Sequence, residues 1–321
     1  MKIGIIGCGR IGTRHLDAYQ KLGDVHVVVA DECETAAKAL AGFPGVAAVA
    51  VDDLLDVDLD ALDVCVPSPV HMPWILAGLA RGLNVFCEKP LCLSYSDAAQ
   101  IRDAAMSAQR NVVVGYLYRY HPAFQFMKEI IDDGVIGRPH LAVARLGGRG
   151  SHQPWKHDVD GGGVIFEMMV HMLDLVGWLL GPLENGQLLH HELLLPVRTI
   201  NGQAHQALAP DCAVVSLEAG GVRAICQSDL VTTSFMNYVE VHGDNGSVTG
   251  SILDSMPTMV YCNEPRGLFD RGHNSRTVEP TNLFVKELGE FIRTVACGRF
   301  DPAPLTASVD LARFVDSLLG A

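Results

Sequence analysis

Gly7-Cys8-Gly9-Arg10-Ile11-Gly12 is a G-x-G-x-x-G sequence placed directly after an apolar Ile-Gly-Ile-Ile run and directly before a helical stretch. At such a junction Gly7 permits the tight turn, Gly9 lets a pyrophosphate approach the backbone, and Gly12 lets helix pack on strand. The N–H groups at the helix start, around Arg10 and Ile11, then face the phosphates. Asp31 follows the second apolar run, 19 residues after Gly12. A carboxylate there accepts hydrogen bonds from the adenosine ribose hydroxyls and repels a 2′-phosphate. Glu32 adds to the repulsion, and neither Lys nor Arg follows until Lys38. The expected cofactor is NAD rather than NADP. A second set of reactive side chains, Glu167, His171 and Asp174, recurs at helical spacing and so shares a helix face. It offers a base flanked by acids, or a divalent-metal site if His152 or His157 completed the shell.

The elements around these residues are legible from periodicity. Apolar runs Lys2–Gly7, Val25–Ala30, Leu62–Val66, Asn84–Cys87 and Asn111–Gly115 alternate with helical stretches Ile11–Leu22, Glu34–Ala41, Met72–Arg81 and Ser94–Gln109. Strand, helix, strand at this spacing predicts βαβ units and a parallel sheet covered on both faces. After Tyr120 the pattern changes. Strands are expected at Leu141–Leu146, Gln187–Leu195, Cys212–Glu218, Val222–Ser228, Met236–His242 and Ser247–Ile252, with Ala219-Gly220-Gly221 and Asp244-Asn245-Gly246 as hairpin turns. Helices are expected at Val164–Leu180, Thr281–Ala296 and Thr306–Leu319. The predicted architecture is α/β: an N-terminal Rossmann domain with a doubly wound parallel sheet at residues 1–120, then a C-terminal α+β domain with a mostly antiparallel sheet at 121–321. The last helix is free to pack back on the first domain.

Two further segments belong at strand ends beside the cofactor crevice: Pro67-Ser68-Pro69-Val70-His71 and Cys87-Glu88-Lys89-Pro90. Pro67, Ser68, His71 and Glu88 are accordingly expected on the cofactor. Together with the glycine turn, the Glu-Lys-Pro tripeptide, Arg119-Tyr120-His121-Pro122 and the run from Gly161-Gly162-Gly163 through Glu167 and His171 to Asp174, the chain resembles the glucose–fructose oxidoreductase/inositol dehydrogenase (Gfo/Idh/MocA) family. The likeness spans essentially the whole sequence. It implies a catalytic lysine at Lys89, a substrate site in the second domain, a sugar, aminosugar, nucleotide sugar or cyclitol as substrate, and a homodimer or homotetramer formed through the second sheet. Glu167 stands where the family pattern has Asp. That departure leaves open an alternative, a catalytically silent NAD-binding regulatory or partner protein on the same scaffold.

Oxidising a secondary alcohol requires a base for its proton and a cation for the developing alkoxide. Lys89 suits the cation and His171 the base, with Glu167 one turn away to orient the imidazole. Arg119, Lys156, His171 and Asp174, with Lys89, are the expected substrate contacts. Trp155, Tyr120 and His121 are secondary candidates, and the three glycines are expected to leave room for a ligand at the helix start. No metal is expected, because the nicotinamide accepts the hydride and Lys89 removes the need for a Lewis acid. A net charge of −13 argues against nucleic acid. The apolar runs read as too short for a membrane helix. Nine cysteines in an odd set without C-x-x-C spacing suggest a reduced, cytoplasmic protein.

Overall fold

The structure, a computed structural model, describes residues 1–148, 153–233 and 237–320. It divides into two compact units: Met1–Leu117 with Asn282–Arg313, and Tyr118–Thr281 with the residues from Phe314 on.

In the first unit, β1 (Lys2–Ile6), α1 (Arg10–Leu22), β2 (His26–Ala30), α2 (Glu34–Leu40), β3 (Val46–Ala48), β4 (Ala61–Val64), α3 (His71–Ala80), β5 (Asn84–Glu88), α4 (Tyr95–Ala108) and β6 (Val112–Gly115) follow in order. The strands pair in parallel in the order β3-β2-β1-β4-β5-β6. Leaving β1 in opposite directions along the sheet, the chain creates a crevice at the strand C-termini, where such sheets bind ligands. The strands are almost wholly buried, with Ile3, Ile5, Val29, Leu62, Val64 and Phe86 at 0–2% exposure, as a sheet covered on both faces requires.

The second unit contains α5 (Pro122–Asp132), β7 (Pro139–Gly147), α6 (Val170–Leu180), β8 (Leu183–Glu192), the hairpin β9 (Val197–Ile200) and β10 (Gln203–Gln206), then β11 (Cys212–Ala219), β12 (Val222–Asp229), β13 (Tyr238–Gly243), β14 (Gly246–Ser251), β15 (Thr258–Cys262) and β16 (Gly272–Arg276). Among the described residues the large sheet runs β16-β15-β14-β13-β7-β12-β11-β8. It is antiparallel except where β7 meets β12. Packing is close: a Cβ on Gly250 would lie 2.5 Å from the Met127 sulfur of α5. The other sheet face presents Leu141, Ile225, Met259 and Tyr261, all 36–43% exposed.

Three expectations change here. The strand expected at Met236–His242 is β13; Met236 lies outside the described residues. The helices α7 (Leu283–Cys297) and α8 (Ala303–Leu319) were assigned by sequence to the second domain, with only the last allowed to return. All of α7 and α8 as far as Arg313 fall in the first unit. The cause is α7's apolar stripe, where Leu288 and Phe291 join the core that holds Leu16 and Tyr19 of α1. Finally, Val159–Leu180 is long and apolar enough to cross a membrane by length and composition alone, contrary to the sequence reading. Of its most apolar stretch 72% is buried within the protein, which is how a core helix behaves.

Candidate active site

In the first unit the glycines act through atoms that are not there. Gly7 has φ +99°, and a Cβ on it would lie 2.7 Å from the Cys65 carbonyl. A Cβ on Gly12 would lie 2.0 Å from the Gly7 oxygen. Gly9 is exposed, with nothing described within 4 Å of its Cβ position. The turn is therefore tight on its protein side and open on its outer side. Gly9 is the N-cap of α1, no side chain caps it, and no acid lies in the first turn, so the amides of Arg10, Ile11 and Gly12 suit a pyrophosphate. Asp31, just past β2, is fixed by that turn and by its own loop: its Oδ2 accepts the Cys8 N–H at 2.6 Å and its Oδ1 the Cys33 N–H at 2.7 Å. A carboxylate so held fits a ribose diol, and these residues fit a dinucleotide.

The two later strand-end loops are tied together. Ser68, buried, and exposed Pro67 form a short turn before α3. His71 turns its ring inward, Nδ1 lying 2.8 Å from the Pro90 carbonyl oxygen and Nε2 2.9 Å from that of Val66. Burial pulls its pKa down. Glu88, at the end of β5, is also turned inward: His15 Nε2 lies 3.1 Å from its Oε1, and its Oε2 accepts the Lys89 N–H at 3.2 Å. Lys89 follows, half-buried, at the same C-terminal edge as the glycine turn and Asp31.

In the second unit the reactive helix opens irregularly. A π-helical turn covers Ile165–Met169 before α6 begins at Val170. Glu167 lies inside this π turn, outside the regular α-helical spacing that the sequence reading assumed. Its carboxylate is held by Lys156, whose Nζ lies 2.6 Å from both oxygens and 5.5 Å from the Trp155 ring centroid. His171 is buried on α6, its ring centroid 4.9 Å from that of Tyr118. Burial, and then the Glu167 charge, push the Tyr118 phenol up to about 12. Asp174, also buried, grips Arg119 through both carboxylate oxygens, Nε–Oδ2 being 2.8 Å. Burial raises its pKa against the pull of Arg119. His121 caps α5 by accepting the Ala123 N–H.

The structure thus joins Lys156 to Glu167 and Arg119 to Asp174, pairs that sequence spacing did not suggest. It also corrects the reading of the triple glycine. A Cβ on Gly161 would lie 2.0 Å from the Trp155 oxygen, on Gly162 2.2 Å from the Phe166 ring, and on Gly163 2.4 Å from the Pro210 oxygen. These glycines let chain segments close on one another rather than leaving room for a ligand. His152 lies outside the described residues. Two residues escaped sequence analysis. Tyr118 gives no local signal of its stacking on His171. His15 does give one, a polar residue on α1's buried stripe of Gly12, Leu16, Ala18 and Tyr19. Among the described residues, the His, Cys and acidic groups close enough to hold a metal are His15, Asp63 and Cys65, within 4.8 Å of one another.

Comparison with known proteins agrees with this geometry. A family model described as "Oxidoreductase family, NAD-binding Rossmann fold" matches residues 1–116, and one described as "GFO/IDH/MocA C-terminal domain" matches 124–249. An inositol 2-dehydrogenase of Klebsiella pneumoniae (strain 342) is 35% identical over 187 residues, 56% of this chain and 54% of that relative. The chain spans about half the length of this relative in that match. An inositol 2-dehydrogenase of Burkholderia ambifaria (strain MC40-6) is 30% identical over 258 residues, 77% of this chain and 72% of that one. A levoglucosan dehydrogenase solved with NADH and L-sorbose shares the fold, with TM-score 0.88, 20% identity, and coverage of 100% of this chain and 96% of that one.

Proposed function

The chain belongs to the Gfo/Idh/MocA oxidoreductase family, and from that premise we propose that it is an NAD-dependent dehydrogenase acting on a secondary alcohol, or the matching ketone, of a cyclitol or sugar. One observation carries this reading: a single edge of the first sheet gathers the glycine turn after β1, Asp31 after β2 and Lys89 after β5. That is the dinucleotide edge of such a sheet, with a cation on it.

NAD, when bound, supplies the hydride acceptor. The amides at the start of α1 hold the pyrophosphate and Asp31 the ribose hydroxyls. The Lys89 ammonium stabilises the alkoxide that develops as the carbinol loses its proton. His171 accepts that proton at a ring nitrogen. Glu167, its carboxylate fixed by Lys156, holds the imidazole in one tautomer. Arg119, braced by Asp174, and Lys156 recognise the remaining hydroxyls, since fixed charged donors suit a polyol. Tyr118 packs against the His171 ring and limits its rotation.

Two inositol 2-dehydrogenases among the relatives support a cyclitol as first choice. The partly apolar open face of the second sheet supports a homodimer or homotetramer, testable by light scattering. All nine cysteines are free, which supports a reducing, cytoplasmic setting. The functional test is NADH formation by the purified protein across cyclitols, sugars, aminosugars and nucleotide sugars. Turnover of a cyclitol or sugar is expected; tight NAD binding without turnover of any of them contradicts the proposal.

A further inference from the structure

His15 is fully buried on α1, with a carboxylate at each ring nitrogen. Its Nδ1 lies 2.9 Å from Asp63 Oδ2 and its Nε2 3.1 Å from Glu88 Oε1. The Phe86 and Phe284 rings, at 5.5 and 5.4 Å, wall it in. A neutral imidazole has one N–H, and would point a lone pair at one of these carboxylates; an imidazolium donates to both. Two buried carboxylates also need a cation between them, because an uncompensated charge in an apolar site is expensive. Space for the arrangement is reserved on the neighbouring strand: a Cβ on Gly115 would lie 3.3 Å from Glu88 Oε1.

We propose that His15 is a positioning residue for Lys89: held as an imidazolium between Asp63 and Glu88, it fixes the carboxylate that anchors the Lys89 main chain at the end of β5. The inference rests on the dehydrogenase reading, in which Lys89 is the catalytic cation. Glu88 is the link, its second oxygen accepting the Lys89 N–H.

The other titratable groups around the imidazole fit this assignment. From α1, Tyr19 donates its hydroxyl to Asp63 Oδ2 at 2.9 Å. Cys65, after β4, places its sulfur 3.2 Å from Nδ1. Burial pushes both the phenol and the thiol up. Glu287 of α7 acts on Tyr19 and Lys89 on Glu88 through their charges. Burial, the largest single influence, draws the His15 pKa down, but Asp63 and Cys65, each through its charge and its hydrogen bond, together hold it well above 6.5. Glu88 shows the converse: burial pushes it up, and His15 draws it below the usual carboxylate value.

Nitrogen NMR of histidine-labelled protein, with His15→Gln to assign the signal, reads the imidazole directly. Both ring nitrogens are expected to stay protonated at neutral pH, above the ordinary histidine value. In His15→Gln the Lys89 amide resonance should move and kcat should fall at least about tenfold, with NAD affinity held within about twofold. Should that variant not fold, Glu88→Gln serves: it should show the same split between kcat and NAD affinity, and His15 should begin to titrate near neutral pH. A wild-type His15 with one bare nitrogen overturns the proposal. So does a folded His15→Gln enzyme with full kcat and an unmoved Lys89 amide, or stoichiometric zinc in the purified protein, which would make His15, Asp63 and Cys65 ligands. Failure of the dehydrogenase reading is separate, being absence of wild-type turnover; the imidazole and Lys89 amide signals are read without substrate.

Discussion

The glycine turn of the first unit and the Glu167–His171 stretch of the second hold their polar groups in opposite ways. The turn works with backbone. Its N–H groups point outward because Gly7 and Gly12 let chain segments approach to distances that any Cβ would forbid, and Asp31 is tied to it by the Cys8 N–H and to its own loop by the Cys33 N–H. Around His171 the polar groups are side chains, each held by a partner from another segment: Lys156 on Glu167, Arg119 on Asp174. A backbone site is fixed once the fold forms, and suits the part of the ligand that does not vary, the cofactor. A site of paired side chains can change partner by single substitutions while the fold persists, and suits the part that distinguishes one family member from another.

That contrast is most exposed at Lys89, a cationic side chain on the backbone-built edge. Lys89→Ala should lower kcat by about 10² or more with NAD affinity nearly unchanged; steady-state kinetics and cofactor titration read the two separately. In the second unit, Arg119→Ala leaves the buried Asp174 carboxylate without its cation, and should cost on the order of 3 kcal/mol of stability by urea unfolding. A loss of substrate affinity with stability intact would mean that the pair serves binding alone.

Smaller effects sharpen the difference. Glu167→Gln and Lys156→Ala should each reduce kcat/KM about tenfold, and the double variant should lose little more than either, because the two residues act as one unit. Additive losses would assign them separate roles. Wild-type protein should prefer NAD to NADP by at least about tenfold, and Asp31→Ala should narrow that gap without abolishing NAD binding. The smallest effect is on stability against pH. A His15 pKa raised in the folded state gives stabilisation that is complete below the unfolded value of about 6.5 and is lost as pH climbs through the folded value. Urea midpoints should therefore decline toward alkaline pH more steeply in the wild type than in His15→Gln.

How much of this was legible in the sequence follows the same division. The βαβ order and the glycine turn are written in neighbouring residues, and the strands of the first sheet lie where periodicity put them, apart from the short β3. The second sheet was readable in kind, but β9, β10, β15 and β16 were not anticipated: β16 (Gly-His-Asn-Ser-Arg) and β10 (Gln-Ala-His-Gln) carry almost no apolar side chains and owe their pairing to the strand beside them. The membership of α7 in the first unit depends on an apolar face whose partner, α1, lies far away in sequence. At the site, spacing singled out Glu167, His171 and Asp174, but it could not supply the π turn in which Glu167 sits, since a single extra residue in a helix leaves no compositional trace. Nor could it supply Lys156 or Arg119 as partners. Glu88 and His71 were read as cofactor contacts from their place at strand ends; which way a strand-end side chain turns is decided by what lies underneath, here His15 and the Val66 and Pro90 carbonyls.

The central claim is that this chain moves a hydride from a carbinol carbon to NAD, with Lys89 as the assisting cation. It is tested most directly by incubating the protein with NAD and a cyclitol deuterated at its carbinol positions, then following the label by mass spectrometry. The account predicts deuterated NADH from the wild type and, at equal time, about a hundredth as much or less from Lys89→Ala. Undeuterated NADH from the wild type, or equal label transfer by the two proteins, would contradict it.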